Sequence, residues 1–128
     1  MRHRVSMTAF PSSPGVYVVY ENKGDRRPLY AGVAERQTLL QRWQKNHLRP
    51  RTGGSALRRT LGVHLGLVKQ KLRQPKRCYP AEVEAEITRF LKGCWVELHQ
   101  TKTGGEAVEL ERQLIRRLRP RLNVVRPR

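Results

Sequence analysis

GVYVVYENKGDRRPLYAGVA, residues 15–34, is the stretch that decides the fold. Its opening, GVYVVYE, is rich in β-branched and aromatic residues and predicts a strand. ENKGDRRP at 21–28 carries glycine and proline punctuation and reads as a hairpin loop. LYAGVA at 29–34 then predicts a second strand, antiparallel to the first. PSSPG at 11–15 is a turn-rich entry into the hairpin, and residues 1–9 read as a short basic tail.

Beyond the hairpin the periodicity changes. TLLQRWQKNHL at 38–48 puts Leu39, Leu40 and Trp43 on one helical face, with Thr38 as N-cap. SALRRTLGVHLGLVKQKL at 55–72 has a helical pattern, capped by Ser55 and weakened by Gly62 and Gly66. AEVEAEITRFLKG at 81–93 predicts a helix, acidic at its start and closed by glycine. CWVELHQ at 94–100 alternates as a third strand, and TKTGG turns into a final helix over 105–118. The order β-β-α-α-α-β-α predicts an α+β domain: a small three-stranded antiparallel sheet flanked by helices. The domain is expected over residues 10–124, with a basic tail at 125–128.

The chain has 128 residues, enough for one core, and 27 Lys+Arg against 10 Asp+Glu give it a formal charge of +17. Such an excess repels itself unless a polyanion offsets it, and nucleic acid is the expected partner. A ribosome-associated or merely solubilising surface is the alternative. Cys78 and Cys94 are too few and too isolated for a zinc site or a disulfide framework. No signal peptide or membrane span is legible, so a soluble cytoplasmic protein is expected.

Candidate site residues stand on these elements. GVY at 15–17 and YAG at 30–32 are two glycine–tyrosine units with 12 residues between the tyrosines. On adjacent strands their phenols approach each other, although core packing explains such a pair as well. Arg42 flanks the apolar face of its helix, from which it reaches a phosphate or solvent. His47 lies on the apolar side, where a core histidine is the usual occupant. In EAVELERQLIRRL, residues 106–118, Ala107, Val108, Leu110, Leu114, Ile115 and Leu118 form one stripe, and Glu111 falls near its middle. A carboxylate there needs a partner, either an arginine or a hard divalent cation such as magnesium.

Taken in order, GVY, YAG, an arginine in the next helix and AVELERQLIRRLRPRLN resemble the GIY-YIG nuclease family, over roughly residues 10–124. The strongest piece is the glutamate in its L-E-x-x-L-I run followed by R-P-x-x-N. The resemblance implies a metal-dependent endonuclease that hydrolyses DNA, or RNA, with one Mg²⁺ or Mn²⁺ per site. It implies Tyr17 as the base, Tyr30 positioning water or phosphate, and Arg42 bracing the phosphate. Glu111 would hold the metal, Asn123 would be the late motif asparagine, and Gly15 and Gly32 the motif glycines. Many relatives have a histidine or tyrosine one helical turn after the arginine. Here Asn46 stands at that position and His47 one place later, which leaves His47 a candidate with an open role. The positive field of the chain is expected to lower the pKa of Tyr17.

Backbone contacts are expected from Arg58, Arg59, Lys69, Lys71 and Arg73, with a solvated face as the alternative. No second domain for specificity is expected, so specificity is expected from the loops at 21–28 and 49–54, the basic 55–77 region, a protein partner, or not at all. A non-catalytic DNA- or RNA-binding module, or a ribonucleoprotein component, is the competing reading.

Overall fold

The computed structural model describes residues 1–71 and 78–123. Strand β2, Gly15–Tyr20, is buried at every position. A strand apolar on both faces belongs in the middle of a sheet with layers on either side, and β2 lies there. It pairs antiparallel with β3, Tyr30–Ala34, on one side and with β4, Trp95–Gln100, on the other. Alternation divides its side chains. Tyr17 and Val19 enter one core with Leu39, Trp43, Leu57, Leu61, Ile87 and Leu91. Val16, Val18 and Tyr20 enter a second core with Ala31, Ala107 and Leu114.

A further strand, β1, His3–Arg4, comes from the segment expected as a basic tail and pairs with Trp95 and Val96. The sheet therefore has four strands, not the three expected, in the order β1-β4-β2-β3. Two exposed polar residues carry no period-2 signal, so nothing local announces β1. What docks it is non-local. Val5 behind it is buried, and the guanidinium groups of Arg2 and Arg4 lie 3.4 and 4.9 Å over the rings of Tyr20 and Trp95.

The helices follow their caps. Helix α1, Leu39–Arg42, starts in a capping box between Thr38 and Gln41 and continues through Trp43–His47 as a π-helical turn. Helix α2, Ala56–His64, is capped by Ser55. It ends eight residues before the expected boundary because Gly66 turns left-handed at φ 72° and the N–H groups of Leu67 and Val68 bond back to the Gly62 carbonyl. Helix α3, Ala81–Gly93, matches its expected span. Helix α4, Gly104–Leu118, is capped by Thr103 and covers the second core alone. Cys78 and Cys94 are free thiols, one exposed and one buried.

Arg58 is a correction. Expected to meet a nucleic-acid backbone, it is fully buried. Its guanidinium donates to Glu84 Oε1 at 2.9 Å, to the Glu84 carbonyl at 2.8 Å, to the His47 carbonyl at 2.9 Å and to Thr88 Oγ1 at 2.9 Å. Glu84 also accepts from the Thr52 and Tyr79 N–H groups and from Thr52 Oγ1. Burial opposes ionisation of Glu84, but the bonds from Thr52 and Arg58 outweigh it and hold the carboxyl below its ordinary value. The pair therefore ties α2, α3, the 48–55 loop and the end of the π-turn together. Removing one partner leaves a charge buried alone, so Arg58→Ala is expected to cost about 3–5 kcal/mol in urea unfolding. A change within about 0.5 kcal/mol, the usual range for surface positions, would show that the pair is not holding the fold.

Candidate active site

Register brings the two tyrosines together. Tyr17 pairs with Gly32 and Val19 with Tyr30, so Tyr17 and Tyr30 share a face on the diagonal. Their rings lie 6.4 Å apart, centre to centre. A Cβ at Gly32 would overlap the Tyr17 phenol, so the bare backbone lets the ring lie across β3, an edge strand of the sheet. Gly15 is closed in the same way by the His99 carbonyl, which is a packing role.

The Tyr17 hydroxyl meets His47 Nε2 at 2.5 Å, and His47 Nδ1 meets Ser55 Oγ at 2.7 Å. Ser55 Oγ also accepts the Arg58 N–H at 3.1 Å, which closes the α2 cap. Tyr17, His47 and Ser55 are all buried. The π-turn explains how His47 arrives. In an α-helix the residue stacked one turn after Arg42 is Asn46; the Leu48 N–H→Trp43 carbonyl bond spans five residues and carries His47 round to that face. The edge of Trp43 against both rings, at 5.3 Å from Tyr17 and 5.0 Å from His47, fixes their orientation.

The resting protonation is the reverse of one expectation. Burial pushes the Tyr17 phenol well above its ordinary value, neighbouring Tyr30 adds to the rise, and Arg42 opposes it only in part. Net charge is spread over the surface, whereas desolvation acts at the hydroxyl itself. Burial also holds His47 well below 6.5, helped by the charges of Arg42 and Arg58. Near pH 7 both partners of this hydrogen bond are neutral, a phenol against an imidazole.

Arg42 is the charge common to the cluster, felt at Tyr17, Tyr30, His47 and Glu111. One Nη donates to the Gly54 carbonyl at 3.1 Å, and its Nε is buried without a partner. Glu111 is half-buried on α4. Burial, then repulsion from Glu35, raises its carboxyl above the ordinary value, against the pull of Arg112 and Arg42. Among the described residues it makes no ion pair and no hydrogen bond. An arginine partner, one of the two explanations open from sequence, is therefore absent there.

Asn123 is anchored on β3. Its Oδ1 accepts the Ala31 N–H at 2.8 Å and its Nδ2 donates to the Ala31 carbonyl at 2.8 Å, so both ends of the amide are engaged on β3. Arg59 is half-buried, and its charge is felt at Tyr30. Lys69 and Lys71 are exposed beyond the end of α2 rather than on a helix, and Arg73 lies outside the described residues. Sequence reasoning finds Ser55 only as a cap; a histidine partner eight positions away leaves no local pattern to find.

The metal expectation is testable on these donors. Among the described residues no three His, Cys, Asp or Glu side chains gather into a cage. A single carboxylate with solvent access and an adjacent phosphate site is the way Mg²⁺ is commonly held, because it keeps most of its waters. Glu111, half-buried and without an ion pair among the described residues, fits that pattern.

The family model of the GIY-YIG catalytic domain matches residues 8–127. Among solved structures, the GIY-YIG N-terminal endonuclease domain of UvrC from Thermotoga maritima, bound to magnesium as its catalytic divalent cation, is 24% identical. The match covers 94% of this chain and 92% of that one, with a TM-score of 0.47. A tyrosine-to-phenylalanine point mutant of the same domain is 25% identical over 91% of this chain and 89% of that one, also with a TM-score of 0.47. No curated protein matches the chain. No helix among the described residues is long and apolar enough to cross a membrane.

Proposed function

The chain belongs to the GIY-YIG catalytic domain family and is an endonuclease of that type, and we propose that it hydrolyses DNA phosphodiester bonds using one divalent metal ion held by Glu111. The observation that supports this reading is the Glu111 carboxylate, without an ion-pair partner among the described residues, beside the same Arg42 charge that reaches Tyr17, Tyr30 and His47. A bound Mg²⁺ or Mn²⁺ would supply Lewis-acid stabilisation of the departing 3′ oxygen.

The rest is done by side chains. Arg42 braces the scissile phosphate with its guanidinium charge. Tyr17 accepts the proton of the attacking water. A free phenolate is disfavoured in this buried position, so Tyr17 passes its own proton to His47 Nε2 as it accepts the new one. Nδ1–H, donated to Ser55 Oγ, holds the imidazole in the tautomer that leaves Nε2 free to accept. Tyr30 lines the same face and positions water or phosphate. Asn123 keeps β3 in place under Tyr30 and Gly32.

The test is nicking of supercoiled plasmid and of branched DNA with Mg²⁺ or Mn²⁺, beside EDTA, with DNA binding measured in parallel. Cutting that requires the metal is expected. Tight binding with no cutting under either metal would replace this reading with the non-catalytic nucleic-acid module.

A further inference from the structure

A second basic feature lies away from the tyrosines. Arg26 and Arg27, from the β2–β3 loop, and Arg117 and Arg119, from the end of α4, line one hollow with Leu118. Its walls are fixed to each other. Arg27 Nε donates to the Arg119 carbonyl at 2.6 Å, and the Arg121 and Leu122 N–H groups bond to the Pro28 and Leu29 carbonyls at 3.1 and 2.9 Å. None of the four arginines is ion-paired with a carboxylate among the described residues. Gathering four like charges round one concavity, in a chain already at +17, is unfavourable until an anion enters.

Arg119 adds a second, independent observation. It adopts φ 49°, and among the described residues it is the one non-glycine with positive φ. Glycine or asparagine takes this helix-end conformation at low cost, while for a residue with a long side chain the cost is of order 1–2 kcal/mol. Strain retained at such a position points to a use for the side chain.

We propose that this hollow is a phosphate subsite that grips the substrate strand away from the cut. Planar guanidinium forks match phosphate oxygens in pairs, as a cluster of lysines would not. The fold sets the distance. Arg117 lies six residues beyond Glu111 on α4, about 9 Å along the axis. Arg27 lies three residues before Tyr30, at most about 10 Å along the chain. At about 3.4 Å of axis per nucleotide of one strand, the hollow meets a phosphate within roughly three nucleotides of the scissile one. Held there, the strand would be registered over Tyr17 by the catalytic domain itself. This subsite rests on the reading of a nucleic-acid substrate.

The experiment compares two double variants of equal charge loss. Arg26→Ala with Arg117→Ala empties the hollow and spares the Arg27–Arg119 strap. Arg89→Ala with Lys92→Ala removes the same charge from α3. DNA binding is followed by fluorescence anisotropy in EDTA across a salt series, and unfolding midpoints check that both variants fold. The hollow variant is expected to lower the slope of log K against log salt by about one phosphate contact, or roughly 0.9, while the α3 variant leaves it unchanged. The same variant is expected to raise the DNA concentration needed for half-maximal cutting with Mg²⁺, and the α3 variant is not. Equal losses in both variants, or none in either, would overturn the subsite. Inorganic phosphate at constant ionic strength is the second probe: ³¹P line broadening that needs the four arginines, with the DNA slope unaltered, would make the hollow a free-phosphate site instead. Failure of the nuclease reading would show separately, as absence of metal-dependent turnover in the wild type.

Discussion

Glu111→Ala is expected to slow DNA cutting by about a thousandfold or more at fixed Mg²⁺ while leaving DNA affinity intact. A metal ion on the leaving oxygen contributes several kcal/mol to the transition state, and each factor of ten in rate is about 1.4 kcal/mol. Removing the carboxylate that holds the ion removes that contribution. Binding should hold or tighten, because the substitution deletes a negative charge from a basic surface. Glu111 also makes no ion pair or hydrogen bond among the described residues, so the fold loses little. Single-turnover nicking over a Mg²⁺ titration, with anisotropy in EDTA, measures both quantities. Near-normal cutting by the variant would move the metal elsewhere, and Glu35, the carboxylate that Glu111 feels, would be examined next.

Tyr17→Phe is the companion expectation, a loss of about 10²–10⁴ in the chemical step, the range for removing a general base. The phenyl ring keeps the edge contact with Trp43 at 5.3 Å and the stack with Tyr30 at 6.4 Å, so the variant folds. What disappears is the oxygen between water and His47. Leaving His47 Nε2 buried without that partner costs stability of about 1–3 kcal/mol, readable as a lowered unfolding midpoint.

The pH profile of the wild type carries the sign. His47 titrates well below 6.5, so its accepting nitrogen is open at neutral pH and is blocked only as pH falls through that lowered value. Tyr17 ionises only above its ordinary range. The rate should therefore be flat across neutral pH, with an acid limb below 6.5. A tenfold rise per pH unit from 7 towards 9 would indicate a pre-formed phenolate and remove His47 from the reaction.

Much of this site is legible in the amino-acid sequence, for identifiable reasons. The β-branched and aromatic run of β2 and the punctuated loop after it mark a hairpin, and the register of that hairpin brings Tyr17 and Tyr30 to one face. Glu111 is conspicuous because it breaks an apolar stripe. His47 is harder, since its place depends on a hydrogen bond spanning five residues, and helical spacing counted at 100° per residue assigns the position to Asn46. Arg58 misleads for a related reason. Arginine in a basic chain reads as a surface residue, and its carboxylate partner is 26 positions away on another helix. The acidity of Tyr17 fails on scale: net charge is a property of the whole chain, while desolvation is decided within the few ångströms round one oxygen. Strand β1 is too short to carry any pattern at all.

The lacing of residues 121–123 along β3 has a consequence for how copies of this chain behave together. Backbone bonds to Pro28 and Leu29, and the Asn123 amide on Ala31, occupy groups that a bare outer strand would offer to a neighbour. The opposite border, β1, is only two residues long and carries His3 and Arg4. Sheet borders that are short, charged or already hydrogen-bonded give another molecule no template for strand-to-strand growth. The protein thus has two separate defences against fibril-like association, and only one of them, mutual charge repulsion, weakens when nucleic acid or salt neutralises its surface.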